Sequence, residues 1–156
     1  MEGMQIVCDL TSEELQNYLF AVSDDFNPAA ETTLGIRGYA GKLTSLGSTI
    51  AAVANSFDVG MRVIGILAGY FNNPTQGFSF VSAFHVRIPF RRMHVGRLLM
   101  DKAIEISRDG GFKELRLRVD KVNEVGLAFY GRYGFVKINE DEKQFEMSYN
   151  LWGNNL

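Results

Sequence analysis

Three arginines surround a short loop at residues 91–97, and this grouping predicts a site for a negatively charged ligand. The loop follows a stretch rich in β-branched and aromatic residues and precedes one with helical spacing of apolar residues. A strand that enters a helix in this way directs unpaired backbone N–H groups and the positive end of the helix dipole at one point. Gly96 would allow close approach of a ligand to the backbone. The loop therefore predicts a pyrophosphate site, although a solvated basic turn explains the same residues. The residues assigned to this site are Arg91, Arg92, Met93, His94, Val95, Gly96 and Arg97.

A second group of polar and aromatic residues follows the next predicted strand. Asn123 is a residue type that caps helices, and it predicts a short helix that runs to about Arg132. The group consists of Asn123, Gly126, Phe129, Tyr130, Arg132, Tyr133, Gly134 and Phe135.

The elements that must position these groups begin with a short strand at 4–9 and two helices. Thr11 and Glu14 have the spacing of a capping box in front of the first helix. Apolar residues at helical period from Ile36 to Leu43 predict the second helix, which its glycines weaken. Three antiparallel strands are then predicted from β-branched and aromatic runs separated by turn formers. These strands are Thr49–Ala54, Arg62–Phe71 and Phe78–Ile88.

The second half of the chain alternates helices with strands. A helix is predicted at Val95–Asp109, a strand around Leu115–Val119, and a final hairpin from Phe135–Ile138 and Gln144–Leu151. The helix after the third of the antiparallel strands should cross over to a parallel neighbour. The sequence therefore predicts an α+β fold, with a mixed, mostly antiparallel sheet of six to seven strands and helices on both faces.

Composition limits the class of protein. The chain has 156 residues, so we expect residues 1–156 to form a single domain. The net charge of −2 at pH 7 argues against a nucleic-acid partner, and no apolar stretch is long enough to span a membrane. The N-terminus lacks a secretory signal pattern. Cys8 is the only cysteine, and His85 and His94 are too few ligands for zinc. We therefore expect a cytoplasmic enzyme that uses no metal.

Taken in order, the two groups resemble the GNAT superfamily of acetyltransferases. The family loop reads Q/R-x-x-G-x-G/A, and residues 91–96 match it at Arg91 and Gly96. The next family motif reads N-x-x-A-x-x-F/L-Y-x-K/R-x-G-F, and residues 123–135 match it closely. The lead-in from Val86 through Pro89 is also similar, and the order of elements is that of the family. The resemblance covers nearly the whole chain and is strongest over 80–138.

The resemblance implies transfer of acetyl from acetyl-CoA to a primary amine by direct attack. In the family, cofactor and acceptor meet where two parallel strands splay apart near the middle of the sheet, here the strands ending near Val86 and Val119. Phe84, His85 and Val86 would then pair with the pantetheine arm like an added strand. A backbone N–H at this place would stabilise the developing oxyanion.

Three further residues receive roles from the resemblance. Tyr130 matches the family tyrosine that gives a proton to the leaving thiolate. Asn123 and Phe129 match positions beside the cofactor. For Tyr130 the alternative is a residue of the buried core, and for Asn123 it is a plain helix cap.

The sequence departs from the family pattern at three positions. His94 stands at the first glycine of the loop, where its side chain could crowd the phosphates or contact them as a cation. Gly126 replaces an alanine, which should loosen the short helix. Ser82 occupies a strand position where many members carry a glutamate base. The base is therefore open between His85, Glu124 and a chain of water molecules.

Two other functions are compatible with parts of the sequence. Residues 131–136 resemble the RNA-binding strand of an RNA-recognition motif, but aromatic and glycine positions are missing and the charge balance is acidic. The second alternative is a domain that binds acetyl-CoA without catalysis, which the Ser82 and His94 departures favour. The acceptor, a small-molecule or peptide amine, is not specified by any motif. The last strand could pair with another copy, so a homodimer is a further expectation.

Overall fold

The computed structural model describes residues 3–24, 31–56, 60–72 and 77–153, with the backbone alone described at 31–34, 55–56 and 60–61. Within these ranges the chain forms four α-helices, one 3₁₀-helix and seven strands. The elements are β1 (Gln5–Cys8), α1 (Ser12–Ala21), α2 (Glu31–Leu46), β2 (Ser48–Ser56), β3 (Gly60–Tyr70), β4 (Phe78–Val86), the 3₁₀-helix (Ile88–Phe90), α3 (Val95–Asp109), β5 (Glu114–Asp120), α4 (Glu124–Tyr133), β6 (Val136–Glu140) and β7 (Gln144–Asn150).

The local signals in the sequence explain most of these boundaries. Thr11 caps α1 and forms the predicted capping box, in which its hydroxyl accepts from the backbone N–H of Glu14 at 3.1 Å. The predicted weakness of the second helix appears as an interruption at Gly35, which has φ 69°. Helix α3 has the predicted bounds. Strand β4 ends at Val86, two residues before the predicted end at Ile88, and Pro89 lies in the 3₁₀-helix, which the sequence did not predict.

The strands form one sheet in the order β1-β2-β3-β4-β5-β7-β6. Only the β4–β5 pair is parallel among the described strands, and α3 makes the crossover between them. The predicted mixed α+β fold is therefore confirmed. The prediction that the last strand pairs with another copy is wrong, because β7 is hydrogen-bonded on both sides and the edge strands of the sheet are β1 and β6. The homodimer itself stays a prediction.

Two apolar clusters lie on opposite faces of the sheet, as predicted. Helices α1 and α2 cover one face, where Leu15 and Leu43 are fully buried. Helix α3 covers the other face through Leu99 and Met100, and the aromatic residues of α4 pack against the same cluster. The strands between these clusters are therefore buried on both faces.

A β-bulge interrupts β4 at Ser82, because Val81 and Ala83 on either side of it pair with consecutive residues of β3. The bulge reverses the alternation of side chains, so Val81 packs on the α3 face and Ala83 on the α1–α2 face. Gly69 of β3 makes the close approach possible, since a Cβ there would lie 2.1 Å from the backbone oxygen of Phe80. The bulge therefore marks the point at which β4 changes direction.

None of the helices in the described part of the chain is both long and apolar enough to cross a membrane.

Candidate active site

A gap opens between β4 and β5 directly after the bulge. The parallel pairing of the two strands ends at Val81 and Leu117. Beyond this point β4 continues to Val86 beside β3, while β5 continues to Asp120 beside β7. A bulge bends its strand and increases the local twist, so Ser82 gives a physical reason for the divergence. The predicted splay of two parallel strands near the middle of the sheet is thus present.

The register of β4 decides which backbone groups face the gap. The N–H of Arg87 donates to Ile64 of β3 at 2.8 Å, and His85 lies two residues earlier in the same register. Backbone groups alternate in an antiparallel ladder, so those of His85 point to β3 and those of Phe84 and Val86 point to the gap. The predicted backbone contact of His85 with a cofactor is therefore not supported by its orientation.

One of the gap-facing carbonyls is already occupied. The Nε of Arg91 donates to the backbone oxygen of Val86 at 2.8 Å, so the guanidinium of this arginine is turned back against β4. The phosphate contact predicted for the Arg91 side chain is thus not the contact seen here. The groups directed at the gap are the N–H and C=O of Phe84 and the N–H of Val86, which suits pairing with an extended ligand.

The loop in front of α3 is shaped by two residues in the left-handed region, Arg92 at φ 65° and His94 at φ 64°. His94 is the N-cap of α3, and its side chain makes no capping hydrogen bond. The first helical bond runs from the N–H of Leu98 to the oxygen of His94. The N–H groups of residues 95–97 thus precede the hydrogen-bond ladder, and no acidic residue lies in this first turn. An open helix N-terminus of this kind is suited to an anion.

The left-handed conformation also explains the departure at His94. Glycine is usual there in the family pattern, because a residue with φ near 60° is strained unless it lacks a Cβ. Histidine is among the residues that tolerate this region better than most. Its side chain is exposed, as are those of Arg91, Arg92 and Met93, so the loop presents its charge to solvent.

Gly96 has a use that the sequence did not reveal. A Cβ at this position would lie 3.3 Å from the ring of Phe84 and 3.7 Å from that of Phe129. The glycine therefore makes room for aromatic packing between α3, β4 and α4. This differs from the close approach of a ligand that we expected of it.

Tyr130 lies in an aromatic cluster beside the gap. Its ring centroid is 6.2 Å from that of Phe84 on β4, 5.6 Å from that of Phe129 and 5.7 Å from that of Phe135. Burial raises the pKa of the Tyr130 phenol above its ordinary value, so it stays protonated at neutral pH. No hydrogen bond joins its hydroxyl to another group of the described residues. Its proton therefore remains available for a ligand in the gap.

Asn123 acts as the cap of α4 in this structure. Its Oδ1 accepts from the N–H of Gly126 at 2.9 Å. A Cβ on Gly126 would lie 2.6 Å from the amide nitrogen of Asn123, so alanine there would require the amide to turn. The plain helix cap is thus the role that the geometry supports, and a cofactor contact of Asn123 stays a prediction.

The candidates for a base lie apart from the aromatic side of the gap. The hydroxyl of Ser82 is 2.6 Å from that of Tyr39 in α2, and burial raises the pKa of Tyr39 to about 12. His85 is buried on the α1–α2 face and contacts Tyr18 and Arg91. Glu124 is exposed at the start of α4. The sequence does not predict the contact with Tyr18, because nothing near this residue in the chain distinguishes it from a core tyrosine.

A family model, described as the acetyltransferase (GNAT) family, matches residues 14–135 of this chain. No curated protein matches this chain. Among solved structures, nourseothricin acetyltransferase is 24% identical with a TM-score of 0.61, over 69% of this chain and 66% of that one. The PaiA N-acetyltransferase of Thermoplasma acidophilum, in complex with coenzyme A, is 18% identical over 94% of this chain and 98% of that one, with a TM-score of 0.69. Ard1 of Thermoplasma volcanium is 20% identical over 95% and 97%, with a TM-score of 0.72.

The chain belongs to the GNAT family of acetyltransferases, because the family model spans most of its length. The predicted enzyme class is thereby confirmed. The structural similarities, all below 25% identity, support the same fold. The RNA-recognition alternative is wrong, because residues 131–133 end helix α4 instead of forming a strand.

Proposed function

We propose that this enzyme transfers the acetyl group of acetyl-CoA to a primary amine by direct attack. The observation that carries the proposal is the gap between β4 and β5, which lies beside the uncapped N-terminus of α3. Similarity to a protein whose structure contains coenzyme A supports the choice of cofactor. The acceptor is a small-molecule or peptide amine.

The loop and the first turn of α3 would hold the pyrophosphate. The N–H groups of residues 95–97 supply hydrogen-bond donors, and the helix dipole adds partial positive charge. Arg92 and Arg97 supply exposed cations at the surface, while the guanidinium of Arg91 is held against β4. The positive loop without an acidic residue in the adjoining turn fits a doubly charged diphosphate.

The gap would hold the pantetheine arm. The exposed backbone groups of Phe84 and Val86 offer the pairing of a strand edge, which an extended amide-containing chain can complete. The aromatic side of the gap excludes water from the thioester, because the rings of Phe84, Phe129 and Tyr130 pack together there. A backbone N–H at this place would face the carbonyl oxygen as it gains charge.

In the reaction, the neutral amine attacks the thioester carbon and forms a C–N bond, and the carbonyl electrons move to oxygen. The C–S bond then breaks, and the thiolate receives a proton from Tyr130. The amine proton leaves to solvent, from which Tyr130 is reprotonated. A thiol has a pKa of about 8.5 and a phenol one of about 10, so transfer to the thiolate is modestly uphill in water. Burial raises the pKa of Tyr130. The same burial destabilises the thiolate and raises the pKa of the thiol, so the difference between the two pKa values stays small.

Calorimetric titration with acetyl-CoA, followed by an amine panel, tests the proposal. We expect micromolar binding and release of one thiol for each amide formed. Cys8 is a free, exposed cysteine that would react with a thiol reagent, so the assay should use Cys8→Ser protein. Binding without turnover on any amine would favour a non-catalytic acetyl-CoA-binding domain, and absence of binding would refute the proposal.

A further inference from the structure

A buried histidine connects helix α1 to the loop that precedes α3. The side chain of His85 is 6% exposed, on the α1–α2 face of β4. Its Nδ1 is 2.7 Å from the hydroxyl of Tyr18, and its Nε2 is 3.3 Å from a terminal nitrogen of Arg91. The imidazole thus lies between a residue of the first helix and the first residue of the loop.

The chemistry of the partners fixes the state of this imidazole. A guanidinium can only donate hydrogen bonds, so Nε2 must be the acceptor in the contact with Arg91. Nδ1 then carries the proton of the neutral ring and donates it to the hydroxyl of Tyr18. Arg87 lies over the Tyr18 ring, with its guanidinium carbon 4.8 Å from the centroid. Two cations, Arg87 and Arg91, thus lie close to this pair.

Arg91 is held at two points of β4 as a result. Its Nε donates to the oxygen of Val86 at 2.8 Å, and its terminal nitrogen donates to His85. The two acceptors fix both the position and the plane of the guanidinium, since the donors of arginine have a rigid geometry. The loop that follows contains the left-handed residues Arg92 and His94. A fixed starting point lowers the entropy that such a loop loses when it binds a ligand.

We propose that His85 is a positioning residue, which anchors Arg91 through Nε2 and so preorganises residues 91–97 for the cofactor diphosphate. This role rests on the proposed function of the loop. It differs from the base and from the direct backbone contact considered for His85, because His85 acts through Arg91 and touches neither reacting atom. Tyr18 of α1 then also helps to position the cofactor loop, because it holds His85 through Nδ1.

Two substitutions of His85 test the contact of Nε2 with Arg91 separately from the contact of Nδ1 with Tyr18. The amide oxygen of glutamine reaches about as far as Nε2, so His85→Gln can still accept from Arg91. Asparagine reaches about as far as Nδ1, so His85→Asn can still contact Tyr18 but leaves Arg91 without this acceptor. Since a hydrogen bond to a charged group is among the stronger ones, we expect His85→Asn to raise the Kd for coenzyme A about tenfold and His85→Gln to raise it less than about threefold.

The measurement is a titration with coenzyme A, with Arg91→Ala as a second variant that leaves the core unchanged. We expect Arg91→Ala to weaken binding about as much as His85→Asn does, and the double variant to be no weaker than Arg91→Ala alone. Thermal unfolding of each variant serves as the control for folding. The inference is wrong if both His85 variants bind like the wild type, if both are weakened equally, or if His85→Asn still acts in the Arg91→Ala background. Failure of the wild type to bind would instead refute the proposed function.

Discussion

Replacement of Tyr130 by phenylalanine is expected to lower turnover without loss of stability, whereas the same change at Tyr133 should do the reverse. Both residues lie on α4 and both contact the ring of Phe129. The hydroxyl of Tyr133 donates to the carboxylate of Asp101 on α3. The hydroxyl of Tyr130 makes no hydrogen bond within the described chain and lies in the cluster beside the gap. The two phenols therefore form a matched pair, one free to act and one used for structure.

The magnitudes follow from these surroundings. A general acid contributes about 10²–10⁴-fold to a rate, so Tyr130→Phe should lower kcat at least about a hundredfold, or about 2.7 kcal/mol. Its stability should be unchanged or slightly higher, because no protein hydrogen bond is lost. Tyr133→Phe loses one exposed hydrogen bond between α4 and α3. This loss should lower the unfolding free energy by about 1 kcal/mol and leave kcat nearly intact.

The assay for both variants is thiol release from acetyl-CoA in the Cys8→Ser background, combined with urea unfolding. Coenzyme A affinity is measured in parallel, since the acid should affect turnover and not binding. Unchanged turnover in Tyr130→Phe would show that the phenol is not the acid. Equal loss of turnover in Tyr133→Phe would show that the position of α4, and not one phenol, determines the rate.

Three further predictions concern the elements that hold the site. His94→Gly should raise the unfolding free energy by about 0.5–1 kcal/mol, because it removes a left-handed Cβ; a lower stability in urea unfolding would contradict this. Gly69→Ala should cost at least about 1–3 kcal/mol, since its Cβ would lie 2.1 Å from the oxygen of Phe80, whereas Gly41→Ala, with open space around it, should stabilise α2 by up to about 1 kcal/mol. Equal effects of these two alanines on Tm would refute the packing argument. The pKa of Tyr39 is raised to about 12 from 10.0, so the protonated phenol stabilises the folded state fully below pH 10. This stabilisation is lost as the pH rises towards 12, at about 1.4 kcal/mol of unfolding free energy per pH unit. Tyr39→Phe should flatten the alkaline dependence of urea unfolding by about that slope, and an unchanged slope would show that the phenol ionises as readily in the folded state as in the unfolded one.

The sequence predicted the elements well where the signal is local. The apolar stripe of α3 and its terminal glycines gave its bounds, and the Thr11–Glu14 pair gave the start of α1. The family resemblance also predicted that Phe84 and Tyr130 lie in one region, and their ring centroids are 6.2 Å apart in the structure.

The parts that escaped prediction depend on contacts between distant segments. The bulge at Ser82 shifts the alternation of β4, so period-two reasoning from the start of the strand cannot assign the side chains after it. The buried contact of His85 with Tyr18 joins residues far apart in the chain. Placement of β7 between β5 and β6 likewise follows from long-range pairing and not from a local pattern.

The central claim is that the edge of β4 facing β5 is open and is completed by the acyl donor. Hydrogen exchange resolved at single amides tests this directly, with and without coenzyme A. We predict that the N–H groups of Phe84 and Val86 exchange rapidly in the free enzyme and become protected with coenzyme A, while that of His85, which faces β3, is protected in both states. Protection of Phe84 and Val86 in the free enzyme, or exchange that coenzyme A leaves unchanged, would contradict the account.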